Sequence, residues 1–399
     1  MCESPFLDAA KKKGQEYEFS LAFQEMKKIC KESDFIIANL ESPCAGSESS
    51  YTQDVYLFNT PDSFVDAIKE MGVSLVLTAN NHCYDRGEQG VERTRKILDE
   101  RHIKHNGTYS EKEEYKPEIV KLGECTFAVI SCTDSTNPIT NRYEPTIKTV
   151  NLMKKQSSRI TNKKAKVKHL LIKLLGRHDN YFRLRKMIGL PPMNSYADRL
   201  INVEEVDIYL ERICEQIRFV KEKVDFVFVC PHMGGQFNLI PGDFCEYAMK
   251  KFVDAGANAV IASHPHVIQK AELIKNIPCF FSIGNVSMSM STSYILRENY
   301  PEYGMMVHFY IENKVIYKIT YSIIKMIEDE NGYLFVVPVC ELWKQGDEKQ
   351  KNGLLKEIEK IIRRIMQDDQ IILETVIEEY TFMENGKGVK NIGEFLNIG

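Results

Sequence analysis

An α/β fold is predicted for this 399-residue chain by three observations. Short apolar runs end in polar clusters. The clusters lead into amphipathic helices, and this strand, loop and helix order recurs. A β-rich block with hairpin turns follows at about Met305 to Val337. A sheet built this way gathers functional side chains at the carboxyl ends of its strands. The focal stretch is Asn258 to His266, where the run Ala259-Val260-Ile261-Ala262 stops and delivers Ser263-His264-Pro265-His266. Two imidazoles separated by one proline stand in a fixed relation that suits a metal pair or a phosphoryl group.

Taken in order, Met1 to Leu7 shows no strand pattern, and helical spacing of apolar residues begins at Phe19 to Lys31. Phe35-Ile36-Ile37-Ala38 reads as a buried strand emptying Asn39-Leu40-Glu41-Ser42-Pro43 into a loop. Thr60-Pro61 predicts a helix start, with threonine as cap and proline in the first helical position, and Gly72 closes that helix. Val73 to Leu77 is the next strand; Thr78-Ala79-Asn80-Asn81-His82, Asp85 and Gly87 follow, then an amphipathic helix over Glu88 to His102. Tyr115 to Leu122 and Cys125 to Cys132 read as strands joined at Gly123 and leading to Asp134.

From about Arg142 to Leu200 the composition changes: about a dozen Lys and Arg lie between Lys154 and Lys186, opposed only by Asp179. Leu170, Leu171, Leu174 and Leu175 within it predict a basic amphipathic helix, suited to an anionic membrane surface or an anionic polymer, or a plain solvated excursion. Regular structure resumes with a helix over Val203 to about Lys223 and the strand Asp225 to Cys230, which ends in Pro231-His232-Met233-Gly234-Gly235. A helix over Asp243 to Ala255, stopped by Gly256, precedes the focal strand. Pro278 to Ser282 is a short strand running into Ile283-Gly284-Asn285. Met305 to Ile311, Val315 to Ile324 and Tyr333 to Val337 form the β-rich return, read as a second sheet layer. Beyond Lys351 a charged helix reaches about Tyr380, followed by a Gly-rich tail. The expected division is a main unit over about 1–340, with the basic insertion at about 142–200, and a helical appendage over 341–399.

Composition narrows the function. A net charge of -4 gives no overall case for nucleic acid, which requires concentrated positive charge. Eleven cysteines are scattered without a C-x-x-C pair, and Cys125, Cys230 and Cys279 lie inside apolar runs, as expected in a reducing compartment. Neither a membrane-length apolar stretch nor a signal-peptide pattern is present, so the chain as written reads as cytoplasmic. There is no G-x-S-x-G, no phosphate-binding P-loop and no G-x-G-x-x-G after a strand.

The polar clusters favour metal instead. Glu41, Asn81, His232, His264 and His266 all follow apolar strands, and carboxylate, amide oxygen and imidazole together suit Mn, Fe or Zn. A single strand-end histidine is ordinarily structural; agreement among four strand ends argues for one shared site. One or two ions there would clamp a phosphoryl group and activate water. His82 suits the general acid that protonates a leaving oxygen, with Asp85 grouped beside it as catalytic. His102, His105, His169, His178 and His308 have no comparable setting and read as structural.

The ordered set Asn39-Leu40-Glu41-Ser42-Pro43, Asn80-Asn81-His82 with Asp85 and Gly87, His232-Met233-Gly234, Ser263-His264-Pro265-His266-Val267 and Ser282-Ile283-Gly284-Asn285 resembles the CapA (PGA_cap) family of capsule and poly-γ-glutamate synthesis proteins. That family is similar in fold to calcineurin-like metallophosphoesterases, and the resemblance covers about residues 1 to 300. It implies a two-sheet sandwich flanked by helices, with Asn81, His232, His264 and His266 as metal ligands. Glu41 would stand in for a bridging aspartate, and His82 would be the proton donor. Asn39, Asn80, Gln236 and Asn285 are the expected substrate contacts. The family's opening strand, ending in Gly-Asp, has no counterpart before Phe35, and an upstream segment carrying it, with membrane association, is the expectation that follows. Gln236, Met233 and Ser263 depart from the family pattern. The implied activity is metal-dependent phosphoester hydrolysis on an anionic surface polymer or its phosphorylated precursor, with no specific nucleic acid partner. Two rivals remain: a non-catalytic subunit that holds polymer or a synthesis complex through the basic insertion, and carbonyl chemistry on poly-γ-glutamate itself.

Overall fold

The computed structural model describes residues 2–12, 16–52, 57–111, 116–160, 163–175, 184–185, 187–189, 197–292 and 294–388. Its strands form three sheets. The first is parallel, in the order β1 (Ile37–Asn39), β2 (Leu75–Leu77), β3 (Lys104–Asn106). The second comprises β4 (Glu118–Leu122), β5 (Cys125–Thr133), β6 (Phe226–His232), β7 (Ala259–Ile261), β8 (Ala271–Ile274) and β9 (Ile277–Phe280), in the order β4-β5-β6-β7-β9-β8. Its four inner strands are parallel and its two edge strands antiparallel. The third is antiparallel throughout: β10 (Tyr303–Glu312), β11 (Val315–Glu328), β12 (Leu334–Pro338), β13 (Tyr380–Glu384) and β14 (Lys387–Gly388).

Side-chain alternation turns these sheets into layers. On the second sheet, Ala128, Ile130, Val227, Val229, Val260 and Cys279 face a helical layer, whereas Phe127, Val129, Phe226, Phe228 and Ala259 pack with Phe309, Ile311 and Ile316 of the third. Burial on both faces is why these strands read as unbroken apolar runs. The covering helices are amphipathic. The one over Val203–Lys221 buries Val206, Leu210, Ile213, Cys214, Ile217 and Val220, and it packs beside the helix over Asp243–Ala255, which ends at Gly256 with φ 110. Helices Asp62–Glu70 and Gly87–Glu100 share a core with Ala38 and Val76 of the first sheet. The second and third sheets thus face each other as a sandwich flanked by helices, and Ile37, Leu75 and Leu77 of the first sheet join the core between them. All eleven cysteines are free. No helix among the described residues is long and apolar enough to cross a membrane.

The structure departs from the sequence reading at identifiable places. Ser4–Ala9 is a helix that buries Phe6 and Leu7, one too short to display a period. The Phe19–Lys31 helix opens as a 3-10 turn, Ser20–Phe23, before becoming α-helical over Gln24–Cys30. Pro61 is the cap rather than the first helical residue, at φ -61 and ψ 149, so the start shifts by one position. β3 and β8 escaped notice because three or four half-polar residues carry no readable alternation. The basic helix is present over Lys163–Leu175, with Leu170 and Leu174 exposed; His178 and Asp179 lie outside the described residues. Val150, Leu152 and Met153, inside the expected insertion, are buried and bridge Thr108 and Thr133.

The charged C-terminal helix runs over Glu348–Met366, opened by a capping box in which Asp347 accepts from Gln350 N at 2.8 Å and Gln350 Oε1 accepts from Asp347 N at 2.8 Å. It stops at Gln367, in the left-handed conformation, rather than near Tyr380. Tyr380–Glu384 is instead a strand paired with β11, and Ile358, Ile361, Ile362 and Ile365 enter the same core as Tyr303, Ile319 and Tyr321. The segment expected as an appendage therefore contributes a strand and a helix to the second layer. Tyr115 and residues 389–399, the Gly-rich tail, lie outside the described residues.

Candidate metal centre

The loops after β1, β2, β6 and β7 converge at one end of the sandwich. Pairing of β6 with β7 continues past both strands: Ser263 bridges His232, with Ser263 N donating to Pro231 O (3.0 Å) and Met233 N to Ser263 O (3.0 Å). His264 and His266 then adopt φ 103 and φ 56, a region costly for residues other than glycine. Phe237 N donates to Pro265 O at 2.6 Å and ties this bend to the loop after β6. Strain held in place this way aims both rings inward.

Three candidate donor atoms lie around His232 Nε2. His232 Nε2 lies 2.9 Å from Asn81 Oδ1, 3.0 Å from His264 Nδ1 and 3.4 Å from Glu41 Oε1. Ligand atoms about 2.1 Å from a shared ion stand about 3.0 Å apart at right angles and about 3.4 Å apart in a tetrahedron. The observed spacings match. His266 Nε2 lies 3.5 Å from the same Glu41 oxygen, so Glu41 Oε1 is shared between two groups of nitrogens. Glu41 Oε1 and His266 Nε2 are buried with no hydrogen-bond partner, and a cation supplies what such orphaned acceptors lack. Among the described residues Glu41, His264 and His266 form the cluster of His, Cys, Asp and Glu with metal-ligand spacing.

Protonation fits the same reading. Burial, reinforced by the neighbouring imidazoles, holds His264 well below the ordinary histidine value, and burial likewise lowers His266. Burial would raise the Glu41 carboxyl, but His232 and His266 outweigh it and keep Glu41 well below the usual range. Unprotonated His264 and His266 rings are the state in which imidazoles can serve as ligands to a divalent ion. The residues present fit a divalent metal.

His82 sits beside this cluster, stacked on Phe58 at 4.1 Å between ring centroids. Its Nδ1 lies 2.6 Å from Asp85 Oδ2, which also accepts from Phe58 N at 2.8 Å. Burial lowers the His82 pKa, but Asp85 more than compensates and the net shift is upward, favouring a ring that carries a proton. With Nδ1 committed to Asp85, Nε2 is the nitrogen left to deliver it. Asp85, expected as catalytic, faces the His82 ring rather than the candidate ligand atoms.

The expected substrate contacts divide. Asn39 Nδ2 donates to Glu41 Oε2 (3.2 Å), and Asn80 Nδ2 donates to Asn39 Oδ1 (3.2 Å) and Leu40 O (2.8 Å). Asn80 Oδ1 accepts from His82 N at 3.1 Å. Asn285 is bonded to His266. All three amides are hydrogen-bonded within the loops that carry the candidate ligands. Gln236 is half-buried and has no hydrogen-bond partner among the described residues. Sequence reasoning missed Ser263, whose Oγ lies 3.0 Å from His232 Nδ1 and orients that ring. It also missed Phe58 and Phe237, the aromatic walls beside His82 and His266. Aromatic residues in two separate loops give no local sign of sharing a wall.

A family model described as bacterial capsule synthesis protein PGA_cap matches residues 1–289. The chain belongs to the PGA_cap family. Among curated relatives, the capsule biosynthesis protein CapA of Bacillus anthracis is 22% identical over 276 residues, covering 67% of this chain and 54% of that protein. The PGA biosynthesis protein CapA of Bacillus subtilis is 24% identical over 270 residues, covering 66% and 55%. The uncharacterized protein y4sH of Sinorhizobium fredii is 24% identical over 291 residues, covering 66% and 60%. The matched region thus spans between 54% and 60% of the length of these relatives.

Proposed function

We propose that this PGA_cap protein is a divalent-metal-dependent phosphoesterase of capsule or poly-γ-glutamate biosynthesis. The observation that carries the proposal is the clustering of Glu41 Oε1, Asn81 Oδ1 and His264 Nδ1 around His232 Nε2, with the His82–Asp85 pair beside it. These four residues would hold one ion of the Mn, Fe or Zn class, while His266 and the shared Glu41 oxygen offer donors toward a second. When bound, the metal supplies Lewis acidity at a phosphoryl group and a nucleophile from water at neutral pH. The chain supplies the rest. His82 gives the proton at Nε2 to the departing oxygen, Asp85 keeps the ring turned, and Phe58 and Phe237 exclude bulk water from the reacting centre.

The partner proposed is an anionic surface polymer or its phosphorylated precursor, gathered by the basic segment around Lys163–Leu175. The names of the relatives supply the polymer context, and the charge of that segment supplies the attraction. The test is hydrolysis of p-nitrophenyl phosphate and its bis-ester by protein loaded in turn with Mn, Fe and Zn. Turnover that disappears in His82→Ala while bound metal persists is the expected result. No turnover by any loaded wild-type form would overturn the esterase reading in favour of a polymer-holding subunit. Reversal of charges between Lys163 and Lys173 should then release polymer.

A further inference from the structure

Asn285 makes an unusual set of contacts for a residue at a strand exit. Its Nδ2 donates to two carbonyl oxygens, His266 O at 2.9 Å and Pro301 O at 2.7 Å, and its Oδ1 lies 2.9 Å from His266 Nδ1. The two carbonyls fix which end of the amide is which, because only the NH2 group can serve both. The oxygen therefore faces the imidazole, and an amide oxygen can only accept. His266 Nδ1 must carry the proton, and the lone pair falls on Nε2, the atom 3.5 Å from Glu41 Oε1.

The backbone is shaped to permit this. Gly284 has φ 70, and a Cβ there would stand 2.5 Å from Tyr303 O; a Cβ on Gly304 would stand 2.0 Å from Asn285 O. Asn285 N donates to Tyr303 O at 3.1 Å, and Gly284 bridges Gly304. Two glycines thus let β10 approach closely enough to seat Asn285 under His266, whose own backbone is left-handed at φ 56. One amide grips that residue at both its carbonyl and its ring.

We infer that Asn285 is a positioning residue that locks His266 in the Nδ1-protonated tautomer and presents Nε2 as a metal donor. This rests on the metal reading for its purpose but not for its geometry, and the test separates the two. Long-range 15N–1H NMR on metal-free wild-type protein, with His266→Ala used for assignment, reads the tautomer directly. A single Nδ1-protonated form is expected; an Nε2-protonated form or a mixture would overturn the inference. Titration with Mn ions then compares wild type with Asn285→Ala, after their metal-free melting temperatures have been matched. Loss of an outer partner of this kind lowers metal affinity about 10- to 100-fold, and the same loss is expected here. Unchanged affinity in Asn285→Ala would refute the positioning role. Wild-type protein that binds no Mn would sink the metal reading while leaving the tautomer result standing.

Discussion

Glu3 offers a stability test at a buried carboxyl. Its side chain belongs to a residue only 2% exposed, and it accepts hydrogen bonds from Thr292 Oγ1 at 2.6 Å and from the Tyr294 hydroxyl. Burial pushes its carboxyl from 4.5 up to about 7, against the opposing pull of those two hydroxyls. The sign follows from proton binding. Below about pH 4.5 the group is protonated in both folded and unfolded chains and has no effect. Between about 4.5 and 7 the folded chain keeps its proton while the unfolded chain loses it, so stability falls as pH rises. Above about pH 7 the full cost, about 3 kcal/mol, is in place. Glu3→Gln removes this dependence while retaining groups that can bond both hydroxyls. Relative to wild type, the variant should gain about 2 kcal/mol between about pH 5.5 and about pH 8, read from urea unfolding at a series of pH values. Parallel curves for the two proteins would refute the reasoning. The loop concerned carries Tyr294 and Ile295, which share a cluster with Phe58 and Phe237, so the wall beside His82 and His266 depends on the same anchor.

Other perturbations have distinct signatures. Asp85→Asn leaves His82 without its anionic partner and should cut esterase turnover about 100-fold or more, with metal content unchanged by elemental analysis; equal turnover would remove Asp85 from the account. Ile361→Ala opens the core shared by the C-terminal helix and the third sheet and should cost about 2–5 kcal/mol in urea unfolding, whereas a loss under about 0.5 kcal/mol would show that the helix is peripheral. Mn at about a hundred times its dissociation constant should stabilise wild-type protein by about 2.7 kcal/mol and leave Glu41→Ala unaffected. Equal stabilisation of both proteins would place the ion elsewhere.

The sequence made the strand ends legible because an apolar run that stops at a polar cluster marks both the buried segment and the place where it emerges. Glu41, Asn81, His232, His264 and His266 were found this way, and the structure brings their donor atoms together. What the sequence did not carry was direction. Asn39 and Asn80 sit within two residues of candidate ligands in the chain, and Asn285 closes a strand-end cluster of its own, yet their amides turn to Glu41, Leu40 O and His266. Local sequence gives residue type and period, not the side to which an amide points. Short edge strands such as Lys104–Asn106 failed for a related reason: their pairing is decided by distant neighbours. Tyr380–Glu384 falls where the helical reading ends and the tail begins, and only its pairing with β11 marks it as a strand, the helix itself stopping at Met366.

The most direct test of the central claim is the metal content of the purified chain after exposure to Mn, Fe and Zn, measured beside His264→Ala. At least one ion per wild-type chain, lost in the variant, is the predicted result. A wild-type chain that retains no metal, or a variant that retains as much as wild type, would contradict a metal centre built on Glu41, Asn81, His232 and His264.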